Sequence, residues 1–335
     1  MKQKTGNPTS PGTSARLTSV LLVLLYYLAG CGLIVRQATI AYISVDSHFS
    51  PKEIAIEINK SFIEKYKNRV TINATFTVDK AMGSPLPSAL DGDLHFAGRA
   101  PQVALPMVGE IANADDEKPA MDVVHGAEGT GKPLQVSGVW RLWPEHAGSA
   151  VEKQGNPLPA FDTNKPDHVF EIHPVTRING IELLDSFKPV KGFSPGGAQR
   201  TFGIYENVSC TITVKPRAVS IVTLTGLYND VEFIMEIADD RQLVVANGRF
   251  VVASARDLAG NLLVQRLRMV FVTGTPPEGT VSVLKRGDRL HVFGIPRLDL
   301  AEISRRVRDS GMNPALLTRP LPYEIIILGV YTNGN

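Results

Sequence analysis

The sequence predicts a mainly β protein with minor α content. Two β-rich units, each a barrel or a sandwich, follow an N-terminal membrane segment. Three observations carry this. Residues 17–35 form one apolar run without a charge. Short alternating segments recur after it, separated by Gly, Pro, Asn and Asp turn signals. Helical periodicity is confined to short stretches.

The apolar run is 19 residues long. A helix rising about 1.5 Å per residue needs roughly 20 such residues to cross about 30 Å of hydrocarbon. Lys2, Lys4 and Arg16 precede it without an acidic residue, so residues 1–16 should stay cytoplasmic and the remainder should be exported. Leu28-Ala29-Gly30-Cys31 resembles the lipobox of bacterial lipoproteins, which implies lipid attachment at Cys31. The competing reading is an uncleaved anchor, favoured by the apolar Leu33, Ile34 and Val35 beyond the cysteine. Either reading places the body in the bacterial cell envelope, membrane-anchored, facing the periplasm or the outside.

The formal charge is +2, and the three cations before the run leave the exported part near neutral. Its one modest basic stripe is Arg305, Arg306 and Arg308, which argues against nucleic acid as the partner. Cys31 and Cys210 are the only cysteines. Cys210 therefore reads as a small buried hydrophobe, and no cysteine zinc site can form.

Along the chain, residues 36–80 read as a strand-helix-strand element. Its first strand covers 38–45. Its helix starts from a capping box at Ser50, Pro51 and Glu53 and carries Ile54, Ile58, Phe62 and Tyr66 at helical spacing. Its last strand covers 70–78. A β domain spans 81–187, with strands near 93–97, 136–143 and 169–175 and irregular connections over 112–133 and 144–167. A Gly/Pro-rich linker covers 188–199. The C-terminal domain, 200–335, shows strands at 209–214, 220–226, 231–238, 262–272, 289–293 and 323–331. Asn247-Gly248 signals a hairpin by its tolerance of positive φ. Asp299 should cap a short helix ending near Asp309.

Gly126 to Lys132 imitates a phosphate-binding loop, but Pro133 stands where Ser or Thr would ligate magnesium. No nucleophile elbow or catalytic-type cysteine is present. The informative pattern is a constellation. Asp93 and His95 share one strand face, opposite Leu94 and Phe96. Glu171 and His173 share another, opposite Phe170 and Ile172. Glu110 and His146 fall between them in sequence. If the strands meet, carboxylates and imidazoles converge, either as a divalent-metal or acid/base site, as a buried structural network, or as a solvated face.

Gly92-Asp93-Leu94-His95, Val108-Gly109-Glu110-Ile111, Val136-Ser137-Gly138-Val139-Trp140 and Glu171-Ile172-His173-Pro174-Val175 resemble a small exported bacterial β-barrel domain. The likeness covers about residues 91–178. It implies an OB-like barrel and carries Asp93, His95, Glu110, His146, Glu171 and His173 as candidate ligand or metal residues. The expected function is ligand or partner binding, or scaffolding, with an envelope protein or a small ligand as partner. The alternative is a metal-dependent hydrolase using the His and carboxylate set, with a divalent metal as its one cofactor.

Overall fold

Glu53–Asn59 is a strand, β1, and the chain turns helical only after it, in α1 (Lys60–Tyr66). This corrects the helix expected from Pro51 onward. Ile54, Ile56 and Ile58 are all fully buried, a spacing of two that suits a strand buried on one face. A helical stripe through Ile54, Ile58, Phe62 and Tyr66 passes over Ile56. The structure, a computed structural model, describes residues 51–148 and 151–331. The run at 17–35, Cys31 and the strand expected at 38–45 lie outside them. Among the described residues, no helix is long and apolar enough to cross a membrane.

The first barrel starts with β2 (Thr71–Ala81), whose Ile72, Ala74, Phe76 and Val78 point inward. β2 pairs antiparallel with β3 (Leu94–Arg99) on one side and β5 (Pro133–Leu142) on the other. β4 (Met107–Ile111) flanks β3, and β7 (Phe170–Ile178) flanks β5, with a two-residue β8 (Ile181–Glu182) on its other edge. β4 and β7 pair in parallel and close the ring. A helix, α2 (Lys118–Ala127), connects the third and fourth strands. It lies inside the connection expected to be irregular. Its signals were Pro119 in the first turn and Ala120, Val124 and Ala127 at helical spacing, all buried.

The second barrel repeats this plan. β11 (Val231–Ile237) pairs with β13 (Gly248–Arg256) and β15 (Arg289–Leu298). β14 (Leu262–Val272) flanks β13, β16 (Tyr323–Val330) flanks β15, and β14 and β16 close the ring in parallel. Again a short helix, α4 (Pro276–Val281), connects the third and fourth strands. Both rings are closed, five-stranded and OB-like. A further helix, α3 (Ala198–Tyr205), precedes the second barrel.

One turn is displaced by a residue. β12 (Leu243–Val245) pairs with β13 so that Val245 faces Gly248, which leaves Ala246 and Asn247 as the turn. Gly248 is required there for close approach: a Cβ would lie 2.3 Å from the Phe271 carbonyl and 2.5 Å from Val70 Cγ2. Asp299 caps α5 (Leu300–Asp309) as expected, accepting from the amides of Ala301 and Glu302. All three arginines of the basic stripe on α5 are ion-paired in place, two to Glu302 and one to Asp309. Cys210 is buried, and burial pushes its thiol up to about 12.

A small sheet joins the two barrels, with strand order β6 (Val151–Lys153), β1, β10 (Ala218–Leu224), β9 (Thr211–Val214). The arms that enter each barrel, β1 and β10, pair antiparallel from Glu53 opposite Leu224 to Asn59 opposite Ala218. The facing walls add a second apolar cluster. Val70, Val139 and Phe187 pack there against Phe250, Val270, Ile295 and Ile326.

Candidate functional site: a buried His and carboxylate cluster

The outer face of the first barrel is polar where it meets the second. On β3 and β4 the register places His95 opposite Glu110. β7 lies beside β4 in parallel and brings Glu171 and His173 into the same patch. The turn before β3 adds Asp93. Leu94, Phe96, Phe170 and Ile172 fill the barrel interior, as strand alternation requires.

His173 is the hub. Its Nε2 lies 3.1 Å from Asp93 Oδ2, and its Nδ1 lies 2.9 Å from Glu110 Oε2 and 3.5 Å from Glu171 Oε2. No carboxylate oxygen lines up with either ring N–H, so neither nitrogen is hydrogen-bonded. His95 Nε2 approaches the same Glu110 oxygen at 3.6 Å, also without a hydrogen bond. The two imidazoles therefore meet on one carboxylate.

A second layer was not anticipated from the sequence. The guanidinium of Arg141, fully buried, donates to Glu171 Oε2 at 2.5 Å. His168 must donate its Nδ1 proton to the Pro166 carbonyl at 2.7 Å, since a carbonyl only accepts, and its Nε2 faces Glu171 Oε1 at 3.2 Å. Glu145 approaches Arg141 at 3.5 Å. His146 sits at the rim: its ring stacks on His168 with centroids 5.1 Å apart and its side chain is 43% exposed. The structure thus draws Asp93, His95, Glu110, Glu171 and His173 together and leaves His146 outside.

The sequence did hold a signal for Arg141. Val136-Ser137-Gly138-Val139-Trp140-Arg141-Leu142 and Val292-Phe293-Gly294-Ile295-Pro296-Arg297-Leu298 share Val-x-Gly-Val/Ile-x-Arg-Leu. Each occupies the fourth strand of its barrel, and each arginine faces a glutamate on the fifth: Arg141 opposite Glu171, Arg297 opposite Glu324. The pairs also reach across the interface reciprocally. Arg141 Nε donates to the Pro296 carbonyl and Arg297 Nη1 to the Trp140 carbonyl, each at 2.9 Å.

Burial opposes every charge here, and neighbours decide which survive. Burial alone would raise Glu110, but His173 and His95 hold it down to about 2. Burial likewise works against an ionised Glu171, yet Arg141, His168 and His173 keep it well below the usual carboxylate range. For His173 burial disfavours the charged ring, and the carboxylates outweigh it, so its value stands well above an ordinary histidine. Burial prevails for Asp93, which is raised despite His173. It also prevails for Glu145, pushed up to about 8, and for His146, which is lowered.

A cavity of about 30 Å³ lies against Asp93 and His173, between the barrels. Asp91 and Lys188 border it from one side, Asn229 and Asp230 from the other. The open concavity lies elsewhere. It measures about 680 Å³ and is lined by Arg69, Asn73, Ser137 and Arg177 of the first barrel's side and by Asn247 and Thr273 of the second. Neither a protein-family model nor a curated protein matches this chain.

Proposed function

We propose that the chain is a membrane-anchored envelope protein that binds or scaffolds partners outside the cytoplasm, and that its His and carboxylate cluster is internal architecture rather than a hydrolytic centre. One observation carries this. The cluster is closed in between the barrels: Asp93, Glu110, Glu171 and His173 are all buried, and the cavity against Asp93 and His173, about 30 Å³, has room for only one or two waters. A hydrolase needs its reacting groups within hydrogen-bond reach of a substrate. The groove of about 680 Å³ is open instead, and its lining is rich in amide and guanidinium donors. That chemistry suits an acceptor-rich partner.

Replacing Asn73 in the groove with a photo-crosslinking residue should give a defined adduct with an envelope component in cells. The same residue in place of Met312, which is exposed and outside the groove, should not. Adducts of equal yield from both positions would remove the groove as the binding surface. Hydrolysis by the purified chain that is lost in His173→Gln would establish the competing enzyme reading.

A further inference from the structure

We propose that Asp93 and His173 Nε2, with Glu110 orienting the ring from Nδ1, form a divalent-cation site, taking Zn²⁺ or Mn²⁺, that fastens the two barrels to each other. The inference goes beyond the scaffolding role and does not depend on it.

One donor atom from each of the three residues lies within 4.8 Å of the others. An ion about 2.0–2.2 Å from each donor holds its ligands roughly 3–3.5 Å apart. The 3.1 Å between His173 Nε2 and Asp93 Oδ2 fits that spacing. His173 is 5% exposed, and neither ring nitrogen has a hydrogen-bond partner. Its Nδ1 faces Glu110 and Glu171, which leaves Nε2 directed at Asp93. Metal-bound histidines are commonly oriented by a carboxylate on their other nitrogen.

The cavity against Asp93 and His173 has room for one or two small species. Asn229 and Asp230, which lead into the second barrel, complete its wall. Asn229 Oδ1 accepts from Arg141 and Asp230 Oδ1 from the Gly196 amide, so an ion there would reach the second barrel through the other Asp230 oxygen or through water. A second cluster, Glu110, His168 and Glu171, meets the same distance criterion. It is the weaker candidate, because Arg141 already holds Glu171 at 2.5 Å, whereas the ion pairs of Asp93 and Glu110 are to histidine rings. One imidazole beside carboxylates suits Zn²⁺ or Mn²⁺ over thiolate-seeking or all-oxygen ions. Binding would displace a proton from His173.

The test uses the full-length chain, purified, stripped with EDTA and dialysed. Zn²⁺ or Mn²⁺ alone is added back, and metal content and melting temperature are measured. About one equivalent should be retained through gel filtration, and the melting temperature should rise by several degrees. Asp93→Asn and Glu110→Gln should each weaken binding at least about tenfold while keeping the far-UV spectrum; His146→Ala should bind normally. A folded wild type that retains only background metal and melts unchanged with both ions overturns the proposal. So does binding that survives both carboxylate variants. If either variant fails to fold, Mn²⁺ broadening of wild-type NMR signals decides. Broadening centred on His173 supports the site, and broadening centred elsewhere rejects it.

Discussion

In the first barrel the wall turned toward its neighbour carries Asp93, His95, Glu110 and His173. In the second, the positions in the same register carry Gly248, Phe250, Val270 and Ile326. The strand pairings fix the equivalence. Glu110 sits opposite His95 as Val270 sits opposite Phe250. Gly109 pairs in parallel with Ile172 as Met269 does with Ile325. The residue after each isoleucine is His173 in one barrel and Ile326 in the other. Topology, the Val-x-Gly-Val/Ile-x-Arg-Leu strand and the Arg–Glu rung are shared, so the fold does not require the polar set. An apolar wall closes the same barrel and packs with Val70, Val139 and Phe187. Charges buried at such a position cost desolvation, and replacing them with apolar residues is often neutral or stabilising. Departures from fold logic of this kind concentrate at functional sites.

The largest expected effect breaks what the barrels have in common. Arg297→Met takes from the fully buried Glu324 its hydrogen-bonding partner, leaving only Arg268 Nε at 3.4 Å, and frees the carbonyls of Val70 and Trp140. Breaking a buried pair from one side costs about 3–5 kcal/mol. Adding Glu324→Leu should restore most of that loss in urea titrations. The environments of the two rungs already differ: burial pulls Arg297 down to about 10 and leaves Glu324 raised, whereas the richer carboxylate surroundings of Arg141 overcome burial and raise it. A loss below about 1 kcal/mol for Arg297→Met would show that the shared rung is not a shared strut.

The next experiment erases the difference. His95→Phe, Glu110→Val and His173→Ile together give the first barrel three of the second barrel's four wall residues, with Asp93, raised toward its neutral form, kept in place. In EDTA-treated protein this should be neutral to about 4 kcal/mol stabilising at pH 7. It should also flatten the pH profile. Glu110, at about 2 in the fold against an ordinary 4.5, contributes stability that is present above 4.5 and lost as pH falls toward 2. His173, raised above 6.5, contributes stability that is present below 6.5 and lost as pH rises through its elevated value. Asp93 and Glu145, both raised, also favour the acid side and weaken the fold as pH climbs. Wild-type stability should therefore peak in mildly acidic solution and fall on both sides, and the triple variant should have shallower limbs. An unchanged profile would mean that Glu110 and His173 are not ionised as their surroundings dictate.

A smaller, paired effect tests the shared strand. Gly138→Ala would place a methyl 2.6 Å from the Pro174 carbonyl and 2.8 Å from Val175 Cα, and Gly294→Ala one 2.6 Å from the Ile326 carbonyl. Backbone on the facing strand cannot step aside, so each should cost about 1–3 kcal/mol. Unequal losses would show that one barrel yields where the other does not.

Much of the strand content was legible because burial alternates with period two, as in Val231, Phe233, Met235 and Ile237. Where apolar spacing satisfies two periods at once the reading failed, as at Ile54, Ile56 and Ile58. The short α2 escaped notice because its ten residues sit among glycines. The candidate cluster was partly legible, since alternation alone puts Asp93 with His95 and Glu171 with His173 on outer faces. What brings those faces together, the parallel β4–β7 closure, leaves no local mark. Arg141 and His168 carry no such mark, because each holds Glu171 from outside the alternating His and carboxylate positions. The duplicated Val-x-Gly-Val/Ile-x-Arg-Leu strand would have exposed Arg141, and with it the relation of the two barrels.

The smallest effect marks the edge of the cluster. His146 and His168 stack face to face 5.1 Å apart, 26° from parallel, yet their surroundings differ. His168 is buried, tied at Nδ1 to Pro166 and at Nε2 to Glu171. His146 is only partly covered, and the carboxylate nearest its Nε2 is Glu145 at 3.7 Å, beyond hydrogen-bond range. Loss of one stacked partner at an exposed site removes about 0.5–1 kcal/mol, so His146→Ala should move the urea midpoint only slightly. His168→Ala should cost several times more, because it strips a buried donor from Glu171 and leaves the Pro166 carbonyl unpaired. The ratio of the two losses locates the boundary. A ratio near one would extend the cooperative network out to the rim, and the polar wall of the first barrel would then reach into the β5–β7 connection as well as across the interface.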